Sequence, residues 1–235
     1  MGLPIQSTPT HECVLPSNGE TVKFRPFLVK EQKVLTLARE SEDQKQVLRA
    51  VKDIIHAVTF EKVDAAKLAM ADLEYLFLKV RCVSVGETTK VTVPCNVDTE
   101  CNGSVELNIN LEEAEMVGES PDTTIMISDN VGLVLEWPTV GIMESVDTLK
   151  EDEGTAIEVM KKCIVRIFDE NEMYEVNEVT NAELDEFVEN LTFGQLGKIG
   201  EFFDSLPKLT LESQGQCNTC NQTVDKKLEG LNNFF

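Results

Sequence analysis

The residues best suited to chemistry in this chain are cysteines, and four of them come in pairs. Cys95 and Cys101 bracket five residues, and Cys217 and Cys220 bracket two. Each pair follows a strand-like run and has Asn and Gly nearby, residues that tight turns favour. Zn²⁺ takes four soft ligands in a tetrahedron, and a tight turn between two cysteines aims both sulfurs at one point. The pairs therefore read as the two knuckles of a zinc ribbon, with Cys95, Cys101, Cys217 and Cys220 as ligands. Such a site is structural, because four thiolates leave no open position for water or substrate. Binding would contribute on the order of 10 kcal/mol to the folded state. The first spacing is wider than the usual two to four intervening residues. Two other readings stand beside the metal. Cys217 and Cys220 could be unmetallated or redox-active with Cys95 and Cys101 as loop thiols, or the ribbon could keep its fold without metal. A thioredoxin-type pair would need a surrounding βαβ pattern, which the sequence lacks.

Catalytic chemistry finds little else to use. Cys82 and Cys163 sit in apolar helical patterns, where a free thiol behaves as a small core residue. Seven cysteines, an odd number, argue against a disulfide framework. The two histidines are His11, near the terminus, and His56, beside an apolar stripe and expected to be partly buried. No P-loop, G-x-G-x-x-G, G-x-S-x-G or H-E-x-x-H pattern occurs. The expectation is that the protein is not an enzyme.

The 235 residues carry 42 acidic and 21 basic side chains, a formal net charge of −21. So acidic a surface repels phosphate backbones and suits solubility or attraction to basic partners. Nucleic-acid binding is therefore not expected. The runs Glu112-Glu113-Ala114-Glu115 and Glu151-Asp152-Glu153 read as solvated loops or helix starts. The start of the sequence lacks the basic and apolar regions of a signal peptide, and Gln6 stands where a myristoylation site expects a hydroxyl residue. No apolar run approaches the roughly 18–20 residues that span a bilayer. An intracellular protein without membrane partners is expected.

These cysteines need elements to position them. Residues 12–15 and 21–25 form a predicted β-hairpin around Ser17-Asn18-Gly19-Glu20, with Val22 and Phe24 buried and Lys23 and Arg25 wet. Helices are predicted from about residue 29 to residue 85. Ser41 is the expected N-cap of a helix bearing Val47, Leu48, Val51, Ile54, Ile55 and Val58. A further helix, containing Leu68 through Val80, stops near Gly86. From Lys90 the apolar period becomes two, giving strand, knuckle, strand through Leu111. Ile125 to Leu135 suggest a hairpin turning at Asp129-Asn130. Helical spacing returns over 154–169, and capping boxes open helices at Thr180 and Thr192. Residues 208–211 read as a strand leading to the last cysteine pair.

The predicted fold is α+β: a helical body with β-hairpins and a split zinc-ribbon-like module. Residues 1–87 form the N-terminal hairpin and helical region, and 88–111 with 208–228 form the split module. Residues 112–207 form an inserted hairpin and mostly helical lobe, and 229–235 form a C-terminal docking tail. Phe234 and Phe235 either cap the core or dock on a partner, since two aromatics at a free end are costly to expose.

Several stretches resemble the baseplate hub subunit, or hub assembly protein, family of T4-like contractile-tailed phages. They are Val22-Lys23-Phe24-Arg25-Pro26-Phe27-Leu28-Val29-Lys30-Glu31 and Asp72-Leu73-Glu74-Tyr75-Leu76-Phe77-Leu78-Lys79-Val80-Arg81. The flanked cysteine pairs and the tail Leu228-Glu229-Gly230-Leu231-Asn232-Asn233-Phe234-Phe235 complete the set. The resemblance implies a non-enzymatic structural or assembly role in the baseplate, exerted through contacts with other baseplate and tail proteins and open to self-association. It implies a place in the virion tail, and in the host cytoplasm during assembly. The competing reading is a freestanding intracellular zinc-ribbon adaptor, but such proteins usually carry a basic or mixed surface near the ribbon.

Overall fold

The structure is a computed structural model that describes residues 7–41, 43–95, 101–118, 120–146 and 153–230. It is α+β, with small antiparallel sheets, and divides into two compact units. The first comprises the chain up to Ala65, Ala71–Val117 and the chain from Lys208; the second comprises Ala66–Met70 and Gly118–Pro207.

In the first unit, β1 (His11–Val14) and β2 (Thr21–Phe24) pair as the expected hairpin. The Leu15 N–H donates to the Glu20 carbonyl, and Gly19, at φ +71°, donates to the Leu15 carbonyl. Val22 and Phe24 point inward, as the alternation requires. Arg25 departs from it. Its side chain is only 13% exposed and makes two bonds, at 3.1 and 2.9 Å, to Glu31. The reason lies in the next element. α1 (Val29–Glu40) has Leu28 at its N-cap, which offers no side-chain acceptor, so the Glu31 carboxylate takes the Leu28 N–H and draws Arg25 in.

α2 (Gln44–Val58) is capped by Asp43, whose carboxylate accepts the Lys45 N–H at 2.9 Å. Ser41, the expected cap, closes α1 instead: it is in αR conformation and its hydroxyl donates to the Ala38 carbonyl. A cap needs extended backbone, and Asp43 supplies it. α3 (Met70–Val85) ends at Gly86, φ +121°, whose N–H donates to the Cys82 carbonyl. Leu68 lies ahead of this helix rather than in it; its carbonyl accepts the Val140 N–H. Asp72 is buried at the start of α3 and accepts both the backbone N–H and the hydroxyl of Ser17, tying the first hairpin's turn to the helix.

β3 (Thr88–Pro94) and β4 (Ser104–Asn110) form a second hairpin. β5 (Glu115–Val117), β10 (Lys208–Gln216) and β11 (Thr223–Glu229) form a three-stranded sheet with β10 central. Val105, Leu107, Ile109 and Leu111 are fully buried and cluster with Leu209, Leu211, Val224 and Leu228, under Leu78 and Cys82 of α3. Burying each such aliphatic side chain contributes about 2 kcal/mol, so this row holds the cysteine-bearing hairpins firmly. Because β5 pairs with β10, residues 112–117 belong to this unit, and the inserted segment starts at Gly118 rather than at residue 112.

The second unit is a four-stranded antiparallel sheet with helices. Its strands are β6 (Thr124–Met126), β7 (Gly132–Leu135), β8 (Ile164–Phe168) and β9 (Met173–Glu175), in that spatial order. Its helices are α4 (Val140–Ser145), α5 (Glu153–Lys162), α6 (Asn181–Glu189) and α7 (Phe193–Ser205). The predicted hairpin turn at Asp129-Asn130 is present, closed by the Ile127 N–H to the Val131 carbonyl at 3.0 Å. The predicted 154–169 helix stops at Lys162. Ile164, Val165 and Ile167 are β-branched, and pairing with β7 (Leu135 with Ile164, Leu133 with Ile167) captures them as a strand. Both predicted capping boxes form: Thr180 with Glu183, and Thr192 with Gln195. Leu133, Leu135, Ile164, Leu184, Ile199 and Phe202 make this unit's own core. Among the described residues no helix is long and apolar enough to cross a membrane.

Candidate metal centre

The cysteines sit at the tips of two hairpins. The β3–β4 ladder runs out at Pro94 and Ser104, and the Cys95 N–H then donates to the Gly103 carbonyl at 2.9 Å. The β10–β11 ladder ends at Gln216 and Thr223. There the Cys217 N–H donates to the Gln222 carbonyl, and the Asn221 N–H donates back to the Cys217 carbonyl. Asn221 adopts φ +55°, a left-handed conformation that Asn tolerates better than most residues, and this closes the tight knuckle.

Asn218 fastens one tip to the other. Its N–H donates to the Ser104 carbonyl, its side-chain oxygen accepts the Ser104 N–H, and its side-chain amide donates to the Ser104 hydroxyl, each at 3.0 Å. Val105 and Cys217 form a β-bridge alongside. Two glycines permit this approach. A Cβ on Gly103 would lie 2.5 Å from the Cys217 Sγ, and one on Gly215 would lie 2.6 Å from Val105 and 2.8 Å from the Glu106 carbonyl.

The result brings together the four cysteines singled out from sequence. Their Sγ atoms all lie within 4.8 Å of one another, with Cys95 to Cys220 at 3.8 Å and Cys101 to Cys217 at 3.7 Å. A tetrahedral ion with bonds of about 2.3 Å to sulfur sets its sulfurs about 3.8 Å apart. Cys95 and Cys217 are buried, and Cys101 and Cys220 are half-buried. The residues between Cys95 and Cys101 lie outside the described residues.

The electrostatics fit a cation. Backbone N–H groups of Cys220 and Thr219 point at Cys217 and lower its thiol to about 6. The Gly103 N–H pulls Cys101 the same way, but burial and hydrogen bonds from Cys220, Cys217 and Cys95 outweigh it and push that thiol up to about 12. Four sulfurs this close cannot all ionise on their own, because each new thiolate repels the last. A divalent soft cation removes that conflict, so the donor set fits a metal.

The other candidates lie elsewhere. Cys82 and Cys163 are buried, as expected of small core residues, and burial, with the nearby Glu136 charge, pushes Cys163 up to about 12. Cys13 is half-buried, and burial, the main cause, pushes its thiol up to about 11. His56 is exposed rather than partly buried; its Nδ1 lies 3.2 Å from the Val63 carbonyl oxygen. His11 stacks on Phe24 with ring centres 5.7 Å apart. Of the acidic runs, Glu112 and Glu113 form a 3₁₀ turn capped by Asn110. Phe234 and Phe235 lie outside the described residues, as do Glu151 and Asp152. Sequence reasoning missed Asn218, Gly103 and Gly215. Their only signal was the presence of turn residues near each cysteine pair.

The family described as T4 bacteriophage base plate protein matches residues 8–235, and the chain belongs to that family. It is thus a structural component of a phage baseplate, a part of the virion tail that works among other tail and baseplate proteins. No curated protein and no solved structure matches the chain.

Proposed function

We propose that the protein is a non-enzymatic component of the baseplate hub, and that a structural zinc ion locks its two cysteine hairpins into one ribbon-like module. Cys95, Cys101, Cys217 and Cys220 would hold the ion, which supplies charge balance and a cross-link between segments more than a hundred residues apart. The observation that carries the metal reading is the set of four sulfurs spaced as a tetrahedral site requires. The hub assignment rests on the hub-like stretches at Val22–Glu31 and Asp72–Arg81 within a chain of this family. The module would present a rigid surface to neighbouring tail proteins as they assemble in the host cytoplasm. With so acidic a chain, nucleic acid is not a partner.

Elemental analysis beside a native thiol count tests the metal. One zinc per chain with four protected thiols is expected; freely reactive Cys217 and Cys220 with no metal would remove this reading. For the hub, tagged protein from infected cells should retain central baseplate proteins, and retention of only peripheral baseplate or sheath proteins would refute the placement.

A further inference from the structure

The acidic charge of the chain is unevenly shared. Of its 42 acidic residues, 21 lie between Gly118 and Pro207, with only five of its 21 basic ones. Within that segment a groove of about 430 Å³ runs between α6 and the β6–β7 turn. Its floor is apolar, made by Ile127, Val131, Phe187 and Leu191, and Glu183 and Glu186 stand at its rim. Glu183 stays ionised while it caps α6, since the Thr180 hydroxyl and N–H both donate to its carboxylate and hold its pKa low. An apolar floor with a carboxylate rim suits an aliphatic side chain flanked by lysines.

The chain itself displays that chemistry on α1. The buried side of this helix is Glu31, Leu35 and Ala38. The exposed arc that runs from the edge of this stripe carries Val34, Leu37 and Val29, with Leu37 at 66%, and at helical spacing Lys30 and Lys33 lie among them. This side of α1 thus offers aliphatic side chains interleaved with lysines, the complement of an apolar floor with a carboxylate rim.

We propose that α1 of one copy seats in the α6 groove of a second copy, with Leu37 on the apolar floor and Lys33 facing Glu186. The contact is head-to-tail: the two surfaces differ, so repetition builds a ring or a chain rather than a closed pair. It goes beyond the metal and hub readings and requires neither.

Sedimentation velocity of the full chain tests it. The wild type should show a sedimentation coefficient that rises with concentration, and association should weaken about tenfold or more on going from low to high salt. Lys33→Glu and Glu186→Lys should each stay monomeric, because each places like charges in contact. An equal mixture of the two variants should associate again, since the reversed charges complement one another across the interface. Circular dichroism and metal content equal to wild type show that the variants are folded, which separates this result from failure of the zinc reading. A wild type that is monomeric at all concentrations overturns the proposal. So does association that survives either single substitution, or a mixture that fails to restore it.

Discussion

At the scale of single residues the most informative pair is Arg25 and Glu31. The guanidinium and carboxylate are 13% and 8% exposed, and Arg25 also donates to the Pro26 and Ala57 carbonyls. Burial by itself would raise the Glu31 carboxyl, but the Arg25 hydrogen bonds and the Leu28 N–H override it and leave its pKa below the ordinary value. Its stabilising contribution is therefore full above the unfolded pKa and lost as pH falls through the lower folded one. Glu31→Gln should cost on the order of 3 kcal/mol at neutral pH by stranding a buried guanidinium, and the gap from wild type should narrow in acid. Urea melts at pH 7 and near pH 3 check both. Asp72 behaves in the opposite sense. Burial raises its pKa despite two hydrogen bonds from Ser17, so its contribution falls as pH rises from the unfolded pKa through the folded one. Asp72→Asn keeps an acceptor for the Ser17 N–H, and its stability relative to wild type should improve between acid and neutral pH. The gathering of the four cysteines was legible in sequence because each pair is closely spaced and follows a strand-like run. Arg25 was not, because strand alternation carries no information about a carboxylate on the following helix.

At the scale of elements, the two hairpins approach most tightly at Gly103 and Gly215, where side chains are absent. Gly103→Ala would push a methyl group against the Cys217 sulfur and the Thr219 hydroxyl, 2.5 and 2.7 Å away. Neither can retreat without moving the knuckle, so metal affinity should fall by about 10–100-fold, as for other changes that displace ligand supports. Competition with a chromophoric chelator reads this directly, and wild-type affinity would show the knuckle to be more compliant than its packing indicates. At the capping boxes the expectation is smaller: Thr180→Ala removes the acceptor for the Glu183 N–H and should cost about 1 kcal/mol. The boxes, the hairpin turns and the Gly86 stop were legible because each is a local rule satisfied by a few adjacent residues. β8 was not. Residues 164–168 fit helical spacing as continuations of α5, and only pairing with β7, which precedes both α4 and α5 in the chain, makes them a strand. A choice that depends on a partner about thirty residues away is invisible to periodicity.

At the scale of the whole molecule, the two units have separate cores, and the four clustered cysteines all belong to the first. That two distant segments meet at the cysteines was legible, since the cysteine pairs stand on either side of the second unit. The junction at Gly118 was not, because it depends on Met116 pairing with Leu209. A metal that binds only the folded first unit stabilises that unit alone. A chelator should therefore lower the thermal midpoint of the first unit and leave the second nearly unchanged, turning one transition into two or separating two further. Amide hydrogen exchange can assign the loss. Protection should fall along β4 and β10, where Val105, Leu107, Leu209 and Leu211 are buried, while α6 and α7 keep theirs. Equal loss of protection in both units would mean that they fold as one cooperative body, and a metal would then act on the whole protein rather than on the first unit alone.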